Sequence, residues 1–270
     1  MHFSQLCTPL SLAHSPCPND MFIFTAWEQG LSKQTLPLAS VEISDIQSLN
    51  QLALSRSVDL CKVSAAILKD LHSDYVLLPV GAGISYGAGP KLVGRKNLPL
   101  SEIRQSRVIS PGPHTMAHRL LETLIKPREI ISMNFREIVP ALQAGICNAG
   151  VIINEARFLL HELGLYEIAD LGQCWEQETS LPLPLGALVA KRSLDSPLLA
   201  RITSAISHSL DFAQGNFAQV FPYIQKQSTE KDEGAIRRHI ELYVSADTYS
   251  LSPQGKKAFA LLGDYEQARW

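Results

Sequence analysis

Six residues, Ser15-Pro16-Cys17-Pro18-Asn19-Asp20, stand between the apolar stretch Leu6 to Ala13 and the helix-like run Met21 to Gln29. A strand that ends in a proline-locked turn and restarts as a helix leaves the first helical N–H groups unpaired beside the strand's carboxyl end, a geometry that favours an anion. Pro16 and Pro18 fix the turn, Asn19 or Asp20 suits the cap, and Gly30 closes the helix. The same pattern also describes a capped structural turn. Similar junctions recur, however. Arg107 to Ser110 reads as a strand, Pro111-Gly112-Pro113 as a turn, and His114-Thr115-Met116-Ala117 as the opening of a helix that runs to about Ile125. Ala149 to Asn154 is another strand, followed by Glu155, a helical run from Ala156 to Leu163, and Gly164 as its stop. In an open α/β sheet ligands sit beyond the carboxyl ends of the strands, so such crests, if they converge, form one polar cleft.

These crests need a scaffold, and the remaining sequence supplies an α/β one. Leu38 to Ile43, Val58 to Val63 and Tyr75 to Pro79 read as strands; Ile46 to Leu54 and Ala65 to Leu71 read as helices between them. This rhythm predicts mixed, mainly parallel sheets with both faces covered. Pro90 to Gly94 and Leu185 to Ala190 are extended, apolar and followed by polar residues, as hinge strands between two lobes would be. On that reading residues 95–189 form an inserted smaller lobe, and 1–94 with 190–270 form the larger one. Helical patterns at Leu198 to Phe212, Glu233 to Tyr243 and Gln254 to Leu262 would cover the larger lobe. A cleft between hinged lobes is the architecture of type II periplasmic-binding-protein-like folds. The glycine cluster Gly81 to Gly89 has the spacing GxGxxxGxG and runs into Pro90 and a strand. A dinucleotide fingerprint must instead open a helix, so a flexible turn near the hinge is expected.

The chain's 270 residues suffice for one large domain or two modest ones, and 46% hydrophobic with 19% charged residues is ordinary globular composition. Net charge is −2, and Arg237-Arg238 and Lys256-Lys257 are isolated pairs without interleaved aromatics, which argues against nucleic acid as partner. The N-terminal residues show neither a cationic start nor a sustained apolar core, and no apolar run approaches membrane-spanning length. A cytoplasmic address, no membrane partner, and a monomer or homodimer are expected. Cys7, Cys17, Cys61, Cys147 and Cys174 are odd in number and lack CxxC spacing, which fits reduced, buried thiols rather than disulfides or zinc.

The chain resembles the 1,4-dihydroxy-6-naphthoate synthase family of the futalosine route to menaquinone. The likeness is carried by His14-Ser-Pro-Cys-Pro-Asn-Asp20 with Phe22-Ile-Phe24, Ser48-Leu-Asn50, Asp59 with Lys62-Val-Ser64, and Gly87-Ala-Gly-Pro90. It continues through Pro111-Gly112 with Thr115, Gly150 to Ile153 with Glu155 and Arg157-Phe158, Asp170-Leu-Gly172 with Trp175, Pro182 to Gly186, and His239-Ile-Glu-Leu-Tyr-Val244. These segments span nearly the whole chain. The resemblance implies the two-lobed binding-protein-like fold and a lyase that converts cyclic dehypoxanthine futalosine to the naphthoate without metal or redox cofactor. It also implies a small anionic substrate in the inter-lobe cleft.

The resemblance further implies substrate contacts at Asn50, Ser64 and a Thr-Thr-Ala segment, and a proton-transferring His ahead of Glu155. Asn50 and Ser64 match. The family's His position holds Asn154, whose carboxamide does not titrate, and the second Thr is Met116, whose thioether donates no hydrogen bond. Ser245 also stands where the family has Asn. Asn19, Asn50, Ser64, Thr115, Met116 and Ala117 are the substrate-binding candidates. Glu155, His114 and His14 are the proton-transfer candidates, with Asn154 orienting. Two alternatives remain at this level: a non-catalytic binder of a carboxylate or menaquinone precursor, and a lyase resembling chorismate dehydratase.

Overall fold

A computed structural model of the chain describes residues 9–153, 155–228 and 231–262. Eleven strands among them form two sheets. The first contains β1 (Leu10–His14), β2 (Leu38–Ile43), β3 (Leu60–Ser64), β4 (Tyr75–Leu77), β5 (Gly83–Ser85) and β11 (Leu183–Lys191), in the order β2-β1-β3-β11-β4 with β5 also on β11. The second contains β6 (Lys91–Gly94), β7 (Arg107–Ser110), β8 (Glu129–Ser132), β9 (Ala149–Ile152) and β10 (Tyr166–Asp170), ordered β10-β6-β9-β7-β8. The β1-β2, β1-β3, β7-β8 and β7-β9 pairings are parallel. The other pairings are antiparallel, and every one involves β6 or β11. The sheets are therefore mixed, and parallel pairing does not outnumber antiparallel pairing. Strands joined by helical crossovers pair in parallel, whereas the strands that follow each passage between sheets enter with reversed direction.

That topology moves the crossings. Pro90–Gly94 and Leu185–Ala190, expected as hinge strands, belong to β6 in the second sheet and β11 in the first. The chain crosses between β5 and β6 and returns between β10 and β11. At the first crossing Gly89 meets Gly172 backbone to backbone: a Cβ on Gly89 would lie 2.3 Å from Gly172 N, and one on Gly172 would lie 2.2 Å from Ala88 O. Only glycine fits both places. The glycine-rich cluster is thus partly strand β5 and partly this close approach, not simply a turn.

The elements follow from local chemistry. Helix Ile46–Leu54 starts at Asp45, whose carboxylate accepts from the N–H groups of Gln47 and Ser48. Helix Ser196–Gly215 starts at Asp195 with Pro197 in its first turn. It buries Leu199, Ile202, Ala205, Ile206, Ser209, Leu210 and Ala213, the spacing of one helical face. That face packs on helix Pro18–Glu28, where the Ser209 hydroxyl donates to Ile23 O at 2.6 Å and accepts from Trp27 N–H at 3.0 Å. Each fully buried Leu or Ile on it contributes about 1.5–3 kcal/mol. One apolar cluster spans both sheets, joining Val63 and Ala187 to Val108, Met116 and Ala149.

Three local expectations change. The helix after the Pro111 turn is capped by Thr115 and runs Met116–Leu120 before a wider turn, Leu121–Ile125, so His114 lies in the preceding turn. The run expected as helix from Ala156 is only a 3-10 turn, Glu155–Phe158, because Arg157 is drawn into tertiary contacts. Gly164 still marks the stop, at φ +66°. Cys61 and Cys147 are buried, but Cys17 and Cys174 are only partly so, and Cys7 lies outside the described residues. No helix among the described residues is long and apolar enough to cross a membrane.

Candidate functional site

A cavity of about 150 Å³ opens where the strand crests of the two sheets face one another. From the first sheet's side come the turn after β1 (Ser15, Pro16, Cys17, Asn19, Asp20), Lys62 and Ser64 of β3, and Leu185 and Gly186 of β11. From the second come Thr115, Met116, Ala117, Phe135 and Ile153, while His239 and Tyr243 add a wall from helix Glu233–Tyr243. The lining is largely apolar, with Ile46, Pro90, Met116, Phe135, Ile153 and Leu185 around a polar end. Such a surface suits a flat ring system carrying a few polar groups.

Backbone N–H groups join the halves beside this cavity. The Ser64 hydroxyl oxygen accepts from Met116 N–H at 2.9 Å and from Ala66 N–H at 3.3 Å. Asn50 is fully buried: its amide donates to His114 O at 2.8 Å, and its carbonyl accepts from Ser64 N–H at 2.9 Å. Gln47 Oε1 accepts from His114 N–H at 3.3 Å. Gly112 makes room for that side chain, since a Cβ there would sit 2.6 Å from Gln47 Oε1 and the residue has φ +141°. Asn50 therefore spends its amide on backbone and does not line the cavity. Ser64 does line it, and its two acceptor bonds leave the hydroxyl hydrogen for a ligand. The Thr115 hydroxyl donates to Gly112 O at 2.7 Å and caps His118 N–H, so Thr115 lines the cavity with its polar group already engaged.

The polar end is a buried chain of partners. Lys62 Nζ lies 2.8 Å from Asp20 Oδ1 and donates to Gly81 O at 2.7 Å, with the two side chains only 3% and 4% exposed. The Ser15 hydroxyl donates to Asp20 Oδ2 at 2.7 Å, and Asn19 Nδ2 donates to Asp20 Oδ1 at 3.0 Å. Asn19 Oδ1 lies 3.0 Å from His239 Nε2. Asn19 and Asp20 are thus first-turn residues of helix Pro18–Glu28, while Cys17 occupies the cap position. Burial, reinforced by the Arg157 charge, pushes the His239 imidazole down to about 3 against a smaller opposing pull from Asp20, so the ring is neutral.

Arg157 braces the far wall. Its guanidinium donates to Gly89 O at 2.8 Å and to the Tyr243 hydroxyl, and it approaches Asp170 Oδ2 at 3.6 Å. Lys91 Nζ sits 2.7 Å from the same Asp170 oxygen, a charge contact without hydrogen-bond alignment. Asp170 Oδ1 caps helix Leu171–Thr179 through Gly172 and Gln173 N–H. Burial raises the Tyr243 phenol above its ordinary range despite Arg157, so it stays protonated and accepts from the guanidinium.

Two proton-transfer candidates lie off this cavity. His14 is fully buried, with Nδ1 2.9 Å from Ser15 O, Nε2 2.6 Å from Glu28 Oε1, and its ring against Phe24. Both nitrogens are engaged in the large sheet's core, and His14 is not among the residues that line the cavity. His114 is half-buried, and its backbone, not its imidazole, meets Asn50 and Gln47. Asn154 lies outside the described residues. Glu155 begins the 3-10 turn directly after it, and Ile153 before it reaches the cavity wall.

Lys62, Asp20, His239 and Tyr243 were missed as site residues. Lysine in the otherwise apolar strand Leu60-Cys-Lys-Val-Ser64 was a readable signal, since a buried charge demands a partner. His239 and Tyr243, four residues apart on one helix face, carried no such signal.

The family model described as "Menaquinone biosynthesis" matches residues 10–268. The chain belongs to the menaquinone-biosynthesis family. A 1,4-dihydroxy-6-naphthoate synthase of Thermus thermophilus is 35% identical over 96% of this chain and 94% of its own. One of Streptomyces coelicolor is 36% identical over 92% and 89% respectively. A crystal structure of a protein from Archaeoglobus fulgidus superposes with TM-score 0.89 at 27% identity, covering 96% of each chain. The periplasmic aliphatic sulphonate-binding protein of Escherichia coli superposes at TM-score 0.65 with 11% identity, covering 94% of this chain and 91% of that one. The fold of this family member is thus that of the type II periplasmic binding proteins.

Proposed function

We propose that this chain is a lyase of menaquinone biosynthesis that converts cyclic dehypoxanthine futalosine to 1,4-dihydroxy-6-naphthoate, acting in the cytoplasm. The observation that carries the reading is the cavity between the sheets, an apolar slot with one polar end, in a chain 35% identical to a synthase of that name. The apolar walls suit the bicyclic product, and Lys62 is the one positively charged group among the described lining residues, suited to an anionic oxygen. Two halves, exchanging chain at residues 86–90 and 171–182, would close over the substrate and exclude water while Ser64 and the amides around Met116 fix its orientation.

Proton transfer falls to a group other than Asn154, with Glu155 and His114 as the candidates. The test is chromatographic detection of the naphthoate after incubation of purified protein with cyclic dehypoxanthine futalosine. Product above a boiled control supports the assignment, and its absence at high enzyme concentration overturns it. Restoring an imidazole with Asn154→His should raise turnover by about 10²- to 10⁴-fold, the usual contribution of a positioned general base. A variant that stays silent while ligand still raises the melting temperature would make the chain a binder instead.

A further inference from the structure

The hydrogen-bond chain at the polar end fixes the state of His239. Asp20 is paired with Lys62, so its carboxylate only accepts, and the Asn19 amide must direct Nδ2 toward it. Asn19 Oδ1 is therefore the atom that faces His239 Nε2 at 3.0 Å, and Nε2 must carry the ring's hydrogen. That leaves Nδ1 as a bare lone pair. Nδ1 is buried and has no hydrogen-bond partner among the described residues, on a side chain 2% exposed that forms part of the cavity wall. A buried acceptor left unmet is costly, which makes it a place where a ligand donor gains most. The neighbouring Tyr243 ring, tilted at 58° with centroids 4.8 Å apart, packs against it.

We propose that His239 is a specificity-determining residue of this cavity, its Nδ1 accepting a hydrogen bond from an aryl hydroxyl of the bound ligand. The inference rests on the naphthoate reading above, and it assigns the ring hydroxyl end of the ligand to the wall formed by His239 and Asn19. Near neutral pH the imidazole has no proton to offer on Nδ1, so the site accepts from hydroxyls and rejects ligand acceptors such as ether or carbonyl oxygens.

The experiment compares two probes by calorimetry under argon: 1,4-dihydroxy-6-naphthoate, and 2-naphthoate, which keeps the ring system and carboxylate but lacks both hydroxyls. The wild type should prefer the dihydroxy compound. His239→Gln places an amide near the Nε2 position, keeps the donor to Asn19 and removes the Nδ1 acceptor. It should bind the dihydroxy compound about 5- to 150-fold more weakly, as an unmet buried donor costs, with 2-naphthoate changed less than about twofold. His239→Asn, whose amide oxygen falls near Nδ1, should retain more of the preference. An unchanged preference in His239→Gln, or equal loss for both probes, overturns the proposal and leaves the lyase reading standing. Failure of the wild type to bind either probe overturns the naphthoate reading and this assignment with it.

Discussion

Replacing Lys62 by Met removes a buried cation and leaves its anion in place. Both members of the Lys62–Asp20 pair are almost wholly out of solvent, and the ammonium is 2.8 Å from Asp20 and 2.7 Å from Gly81 O. Asp20 keeps two neutral donors, Ser15 and Asn19, but loses its counter-charge. Orphaning one member of such a pair costs about 3–5 kcal/mol. At 2–4 °C per kcal/mol for a protein of this size, melting should fall by about 6–20 °C, and naphthoate binding should weaken sharply with it. Adding Asp20→Asn should recover most of the loss, because a neutral pair of similar shape costs little. Scanning calorimetry of wild type, both single variants and the double variant reads both effects. A melting point for Lys62→Met within 2 °C of wild type, or a double variant no more stable than the single, would refute the reasoning.

Further outcomes follow from the same geometry. Ser64→Ala strands Met116 N–H between the halves; urea denaturation should register a loss of about 1–3 kcal/mol, and substrate KM should rise. His14→Phe should lower stability by breaking the contact with Glu28 while the folded fraction retains its kcat, the reverse of what a catalytic base would give. His239 is held neutral by a pKa of about 3, below its unfolded value near 6.5, so it contributes stability above pH 6.5 that is lost as pH falls toward 3. His239→Gln should flatten that acid limb of the stability curve by up to about 1.4 kcal/mol per pH unit, measured by urea titration at stepped pH.

Much of the fold was legible because its signals are local. Asp45, Asp195 and Thr115 cap helices as short polar side chains do, Gly30 and Gly164 stop at positive φ, and the apolar face of Ser196–Gly215 has helical spacing. The site was legible only in outline. Thr115, Met116, Ala117, Ser64 and Asn19 reach the cavity, but Asn50, chosen by resemblance, spends its amide on backbone across the halves. His14 stands beside the anion-favouring turn in sequence, but Glu28, a full helix length away, holds its ring.

By itself the sequence determined most of the element types, the two-lobed α/β class and the family, since caps, periodicity and motif order act over a few residues at a time. Only the tertiary structure decided which polar groups are free. Whether a side chain is spent on backbone, paired as Lys62 with Asp20, or left with an unmet lone pair as at His239 depends on partners brought together from distant strands and helices. Hydrogen bonds and burial are set by that three-dimensional neighbourhood, which no local pattern encodes.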